Sequence, residues 1–319
     1  SKFSKMSLFS GLNNLEDITL NARYGDICGY THEDLENVFT GYFENVNLEN
    51  VRLWYNGYNY LGNKVYNPYD ILLFLKNQHE FGNYWWRTGN PSFLIELVQT
   101  KDYAIPQVEN YEATEEILDS FDVDTIALEV LLWQTGYLTI TRKFRERNRI
   151  KYQLGIPNRE VQLSLNDFFI DALTTQKIEK LRYQDQLHEV LIAADLERLK
   201  QTISKLFASI PYHNFTNNNL AQYEGYYASV VYAYLASLGY SIIPEDITSK
   251  GRIDLTLQLP NKTYIFEFKV VDAPTQSALQ QIKERRYYEK YDNDLPTYLV
   301  GIEFGKNERN IIGWAVEKR

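Results

Sequence analysis

Hydrophobic positions change period several times along the chain, and each change marks an element. Phe3, Met6, Leu8 and Phe9 are spaced like a strand running into a turn at Gly11. From His32 to Phe43, the set Leu35, Val38, Phe39, Tyr42 and Phe43 fits a helix with Thr31 at its N-cap. Asn56-Gly57 is the dipeptide of a tight hairpin. Pro68 opens a helix through Leu75, because proline is tolerated in a first turn. Residues Asp124 to Gln134 predict a helix with Ile126, Val130, Leu131 and Trp133 on its apolar face and Gly136 as its stop. Tyr137 to Thr141 and Ile150 to Leu154 alternate as two paired strands around an arginine-rich hairpin. Pro157-Asn158 closes that unit, Leu165 to Leu173 resumes a helix, and Thr175 to Phe207 is helix-rich and charged.

The pattern changes again near Ile210. Tyr223 to Leu238 reads as a helix with Tyr227, Val230, Val231, Tyr234 and Leu238 turned inward, closed by Gly239. Three strands follow, Tyr240 to Ile243, Arg252 to Leu259 and Thr263 to Val271, the last two joined at Pro260-Asn261. Gln276 to Tyr291 is a second helix, and Leu295 to Phe304 and Asn310 to Val316 are further strands. Helix, three strands, helix, strand makes a small α/β layer, so the chain is expected to be a multidomain α/β (α+β) protein.

Composition narrows the function classes. A length of 319 residues suggests two or three domains, and 44% hydrophobic with 24% charged residues excludes a disordered or fibrous chain. No apolar run approaches the ~18–20 residues of a membrane span, and Ser1 to Met6 contain no signal-type apolar core. Cys28 alone forms neither an internal disulfide nor a thiolate cage, and no activating side chain adjoins it in sequence. These features predict a soluble, cytoplasmic protein. His32, His79, His188 and His213 lack metal-ligand spacing. A formal charge of -9 argues against non-specific coating of nucleic acid, but leaves room for a local basic groove.

The acidic residues of the last strands carry the sharpest chemistry. In Phe266-Glu267-Phe268-Lys269-Val270, strand alternation puts Glu267 and Lys269 on one face and the apolar residues on the other. Asp254 stands opposite the apolar set of Ile253-Asp254-Leu255-Thr256-Leu257. Isolated carboxylates in apolar strands are costly unless paired, solvated or bound to a cation. On adjacent strands, Asp254 and Glu267 would suit a hard divalent ion completed by water and phosphate oxygens. Lys269 beside them would hold a water or developing negative charge, and Glu224 on the preceding helix is within reach.

Gly251-Arg252-Ile253-Asp254-Leu255, Phe266-Glu267-Phe268-Lys269 and the upstream Glu224 together resemble the PD-(D/E)XK nuclease superfamily, and Ala278-Leu279-Gln280-Gln281-Ile282 with Tyr287 resembles its glutamine-bearing helix. The resemblance implies a restriction-endonuclease-like αβββαβ core that hydrolyses nucleic-acid phosphodiesters, DNA being the expected partner, with Mg²⁺ or Mn²⁺. It implies catalytic roles for Asp254, Glu267, Lys269 and Gln281, with Asp254, Glu267 and Glu224 on the metal. A further resemblance covers most of the chain. Ser1 to Ser4, Ser10 to Asn14, Gly29-Tyr30-Thr31, Trp54 to Tyr58, Tyr66-Asn67-Pro68 and Thr88-Gly89-Asn90-Pro91 resemble a bacterial family that joins an AAA-ATPase-like domain to such a nuclease domain.

That family organisation implies an ATPase-like remnant with a helical lid over residues 1–105 and the nuclease-like domain over 210–319; between them, the helix followed by a basic hairpin outlines a winged-helix-like region over 106–175, and the helix-rich, charged stretch a connector over 176–209. No G-x-x-x-x-G-K-[ST] occurs, so no ATP binding is expected. The basic hairpin, with Arg142, Lys143, Arg145, Arg147 and Arg149, is either a solvated turn or a nucleic-acid-contacting wing. Lys283, Arg285, Arg286 and Lys290 either line a phosphate groove or pair along their helix with Glu284 and Glu289. The alternative to a nuclease is an inactive module of the same fold acting through nucleic-acid or protein contacts. Oligomeric state stays open.

Overall fold

The computed structural model describes residues 17–88, 111–118, 128–175, 178–211, 223–291 and 295–319. The strand expected around Phe3–Phe9, the first four residues of the helix expected from Asp124, and most of the Thr88–Pro91 motif lie outside the described residues. The described residues divide into two compact units, one ending at Leu165 and one beginning at Asn166.

In the first unit, the helices α1 (His32–Asn37), α2 (Leu48–Tyr55) and α3 (Pro68–Lys76) begin at side-chain caps. Thr31 and Asp34 form a reciprocal capping box, Asn47 accepts from the N–H groups of Glu49 and Asn50, and Asn67 accepts from that of Tyr69. The helix expected over His32–Phe43 stops at Asn37 and gives way to a separate 3₁₀ turn, Thr40–Tyr42. Leu35, Phe43, Val51, Tyr55, Tyr66, Ile71 and Phe74 bury the apolar faces together.

Asn56-Gly57 is not a hairpin turn. Both residues lie in strand β1 (Asn56–Tyr58), which pairs with β2 (Val65–Tyr66). Gly57 adopts φ +137°, and a Cβ there would collide with the carbonyl group of Pro157. Close backbone approach, rather than a turn, explains the glycine.

The rest of this unit holds β3 (Glu112–Thr114), α4 (Glu115–Leu118), α5 (Leu128–Gln134), β4 (Thr139–Glu146), β5 (Arg149–Gly155) and the start of α6 (Arg159–Thr174). The strands form an antiparallel sheet in the order β3-β5-β4. Arg147 and Asn148, at φ 45° and 64°, make the two-residue turn of the expected hairpin.

The second unit continues with α7 (Lys180–Ala193), α8 (Leu196–Ala208) and α9 (Glu224–Ala236). A five-stranded sheet follows, built from β6 (Ser241–Thr248), β7 (Gly251–Leu259), β8 (Lys262–Val271), β9 (Thr297–Gly305) and β10 (Ile311–Lys318) in the order β10-β9-β8-β7-β6. Within this sheet the β8–β9 pair is parallel and the other pairs are antiparallel, because α10 (Ser277–Glu284) carries the crossover from β8 to β9.

The expected order of elements is therefore present, with two departures. The helix expected over Gln276–Tyr291 ends at Glu284, where Arg286 turns left-handed at φ 48° and a 3₁₀ turn takes over at Tyr287–Tyr291. Helix α9 buries residues all round rather than on one face, since it packs against β6, β7 and β8 as well as α7. No helix among the described residues is long and apolar enough to cross a membrane.

Candidate active site

Alternation along β8 sorts its side chains between two different environments. Phe266 and Phe268 lie on the aromatic side of the sheet with Phe304, whose ring stacks on Tyr227 of α9 at 4.2 Å. Ile265, Glu267 and Lys269 face α10, where Ile265 packs with Ile253, Leu299 and Ile282. Glu267 is 0% exposed, so this is a carboxylate placed inside an apolar layer.

The β7–β8 ladder ends at the pair Leu255–Phe266. Beyond that point the Asp254 carboxylate takes over, accepting the backbone N–H of Phe268 at 2.8 Å. Glu267 Oε1 accepts from Gln281 Nε2 on α10, and Lys269 Nζ lies 3.8 Å from the same oxygen and 3.5 Å from Glu224 Oε1. Asp254, Glu267, Lys269, Gln281 and Glu224 thus converge on one end of the sheet. Glu267 Oε2 is left buried without a hydrogen-bond partner.

Charge states follow from this burial. Desolvation pushes Asp254 up to about 6, opposed by the Phe268 N–H and the Lys269 ammonium. Desolvation, reinforced by Asp254, pushes Glu267 up to about 8. Burial disfavours the Lys269 ammonium, but Glu224, Glu267 and Asp254 outweigh it and hold its pKa above the ordinary lysine value.

Whether this donor set fits a divalent ion turns on the unpartnered Glu267 Oε2. A buried carboxylate oxygen without a donor costs about 1–3 kcal/mol or more unless a cation or water satisfies it. No group of three His, Cys, Asp or Glu side chains among the described residues is arranged to hold a metal. The acidic centre is the pair Asp254 and Glu267, with Glu224 engaged by Lys269. Two carboxylates with remaining positions for water and phosphate suit Mg²⁺, which binds reluctantly in all-protein cages.

Two supporting residues went unrecognised in the sequence. Glu303, 1% exposed, accepts Thr275 N and Oγ1 at 2.7 Å each, Ser277 N at 2.7 Å and Ser277 Oγ at 2.9 Å, fixing the start of α10. Gly301 pairs with Glu267 in the parallel register, and a Cβ there would lie 2.9 Å from Leu279 Cα. Its missing side chain lets α10 sit close enough for Gln281 to reach Glu267. Ile302-Glu303-Phe304 repeats the apolar-acid-apolar pattern of Phe266-Glu267-Phe268, a signal that could have singled out Glu303.

The expected nucleic-acid-binding residues are placed differently. Lys283 is bound to Glu317 at 2.8 Å, Arg286 lies 3.4 Å from Glu289, and Lys290 bonds to Asp246, which also holds Thr256 and Tyr291. Arg142, Lys143, Arg145, Arg147 and Arg149 are exposed on the hairpin in the first unit, not in the unit that holds Asp254. The Arg142 guanidinium lies 5.3 Å from the Phe144 ring centroid and the Lys143 ammonium 5.8 Å from that of Tyr152.

Comparison with known proteins agrees with this geometry. Residues 222–314 match the family described as the PD-(D/E)XK nuclease superfamily. This region is a PD-(D/E)XK nuclease superfamily domain. The matched residues run from the approach to α9 into β10, and so enclose Glu224, Asp254, Glu267, Lys269 and Gln281. Over 319 residues the chain is also 43% identical to an "uncharacterized protein in vnfD 5′region" of Azotobacter chroococcum mcd 1. That alignment covers 99% of this chain, and the chain spans 62% of the relative's length. No solved structure matches.

Proposed function

We propose that the PD-(D/E)XK domain hydrolyses phosphodiester bonds of nucleic acid, DNA in the first instance, in a Mg²⁺- or Mn²⁺-dependent reaction. The observation that carries this reading is the meeting of Asp254, Glu267 and Lys269, with Glu267 Oε2 buried and unpartnered. Asp254 and Glu267 are the residues that would hold the ion, Glu224 being a third carboxylate at the rim. A bound Mg²⁺ supplies charge neutralisation at the phosphate and a more acidic water.

The chain's own groups do the rest. Gln281 donates to Glu267 Oε1 and fixes its carboxylate plane, leaving Oε2 to the cation. Lys269 stays protonated and places an ammonium donor beside the reacting phosphate, where negative charge develops. Asp254 is oriented by the Phe268 N–H, which its Oδ2 accepts at 2.8 Å. The exposed arginines of the β4–β5 hairpin are read as a second contact to nucleic-acid phosphates, since Arg forks onto phosphate oxygens.

The test is cleavage of plasmid and branched DNA with Mg²⁺ or Mn²⁺. Wild type is expected to cleave, and Asp254→Ala and Glu267→Ala to lose the activity. Equal cleavage by wild type and Asp254→Ala overturns the proposal. The formal charge of -9 favours the second reading, an inactive module of the same fold acting through nucleic-acid or protein contacts. Absence of divalent-ion affinity in wild type would decide for that reading.

A further inference from the structure

A polar cleft of about 480 Å³ opens beside the acidic pair. Gly251 and Arg252 line it from the start of β7, and Ser277, Gln280, Gln281, Glu284, Arg285 and Tyr287 line it from α10 and the turn that follows. Gln281 is shared between this cleft and the Glu267 carboxylate, so the two spaces adjoin.

Two guanidinium groups stand in its walls. Arg252 lies two residues before Asp254 on β7, and Arg285 lies one helical turn beyond Gln281. Arg285 donates Nη1 to the Lys250 carbonyl at 3.2 Å, a neutral acceptor that leaves its charge uncompensated there. Arg252 meets Glu245, but its side chain is 60% exposed, so the pair is weak and exchangeable in water. The acid of the lining is Glu284, and Gln280 Nε2 already donates to its Oε1 at 2.7 Å. Gly251, at φ 152°, has no room for a Cβ, the Tyr287 hydroxyl lying 2.9 Å from where that atom would sit. Such a groove admits a chain of anionic groups and offers nothing to a large apolar ligand.

We infer that this cleft is a phosphate-backbone subsite, in which Arg252 and Arg285 hold a phosphodiester next to the one presented to Asp254 and Glu267. The inference rests on the nuclease reading for its location, yet it is testable without catalysis. Arg offers a planar fork of donors matched to phosphate oxygens, and contacts of this kind bind without regard to sequence. Lys283 and Arg286, on the same helix and its turn, do not line this cleft.

The test uses the full chain in EDTA, with labelled DNA duplex and RNA of the same sequence, and reads affinity by anisotropy over a salt series. Arg252→Ala and Arg285→Ala are each expected to weaken binding of whichever nucleic acid is held, and to reduce the slope of log affinity against log salt by about 1. Glu284→Gln is expected to strengthen binding several-fold, a gain that misfolding cannot produce. Wild-type slopes in both arginine variants on both DNA and RNA, or no gain from Glu284→Gln, overturn the subsite. Mg²⁺-dependent cleavage, assayed separately, keeps the two claims apart. Cleavage with unchanged slopes removes the cleft and keeps the nuclease; reduced slopes without any cleavage keep the cleft and remove the nuclease.

Discussion

Asp254 occupies the place of a strand hydrogen bond: its carboxylate accepts the Phe268 N–H at 2.8 Å just past the last paired residues of β7 and β8. The same group therefore closes the sheet and faces the proposed ion, and the two roles are separable. Asp254→Asn retains an oxygen for the Phe268 N–H and is expected to melt near wild type while losing cleavage and divalent-ion affinity. Asp254→Ala strands a buried donor and is expected to lose about 1–3 kcal/mol of stability as well. Denaturant unfolding of the two variants, beside cleavage assays, checks the separation.

Proton linkage gives the second expectation. Burial raises Asp254 to about 6 and Glu267 to about 8, above the ~4 of carboxylates in an unfolded chain. The folded, metal-free protein then binds more protons than the unfolded one across this range. Its contribution from these two groups is greatest at low pH and is lost as pH rises through the two folded values. An ion must displace those protons, so Mn²⁺ affinity should climb between about pH 6 and pH 8. Calorimetry in buffers of different ionisation enthalpy reads the proton release; affinity independent of pH contradicts it.

Glu303 behaves oppositely. Burial alone would raise its pKa, but hydrogen bonds from Thr275 and Ser277 outweigh that and hold it at about 2. Its contribution is present above the ordinary carboxylate value and disappears as pH falls through about 2. Glu303→Gln should cost about 1–3 kcal/mol by turning one acceptor into a donor facing donors. It should also slow cleavage, since the start of α10 no longer aims Gln281. Unchanged stability and activity in this variant would show that α10 is set by other contacts.

In the first unit, Asp70 and Glu160 are both 0% exposed and share the Trp85 N–H, each at 2.9 Å. Burial raises Asp70 to about 6; burial and then the Asp70 charge raise Glu160 to about 9. Stability of this unit is expected to fall as pH rises toward 9, the folded state having retained protons that the unfolded chain gives up near pH 4–5. Glu160→Gln should flatten that dependence. Tryptophan fluorescence during urea titration, repeated at several pH values, is the measurement.

The hairpin arginines give a further expectation. Replacing Arg145, Arg147 and Arg149 together by alanine should lower the salt dependence of DNA binding by roughly 0.9 for each phosphate no longer neutralised, without altering thermal stability, because the three side chains are exposed. A wild-type slope would mark the hairpin as a solvated turn.

Much of the second unit was legible because its local signals agree with its fold. Strand alternation separates Phe266 and Phe268 from Glu267 and Lys269, and the structure keeps that separation. What failed was punctuation that depends on distant atoms. Gly57 reads as a turn from its neighbour Asn56, but it is set by the Pro157 carbonyl. Arg286 breaks a helix whose periodicity runs on to Tyr291. In sequence, Lys283 and Lys290 have Glu284 and Glu289 as candidate partners along their helix, yet each finds an acid on a distant strand, Glu317 and Asp246. Residue type does not reveal which surface charges are already neutralised.

Gly301 carries a consequence for redesign. Glutamine has a limited reach, so the distance between β9 and α10 acts as a gauge that decides whether Gln281 touches the Glu267 carboxylate at all. Widening that gauge with Gly301→Ala would break the Gln281–Glu267 contact from a position that bears no reactive atom. Searches for the determinants of such a centre therefore have to include residues chosen for thinness.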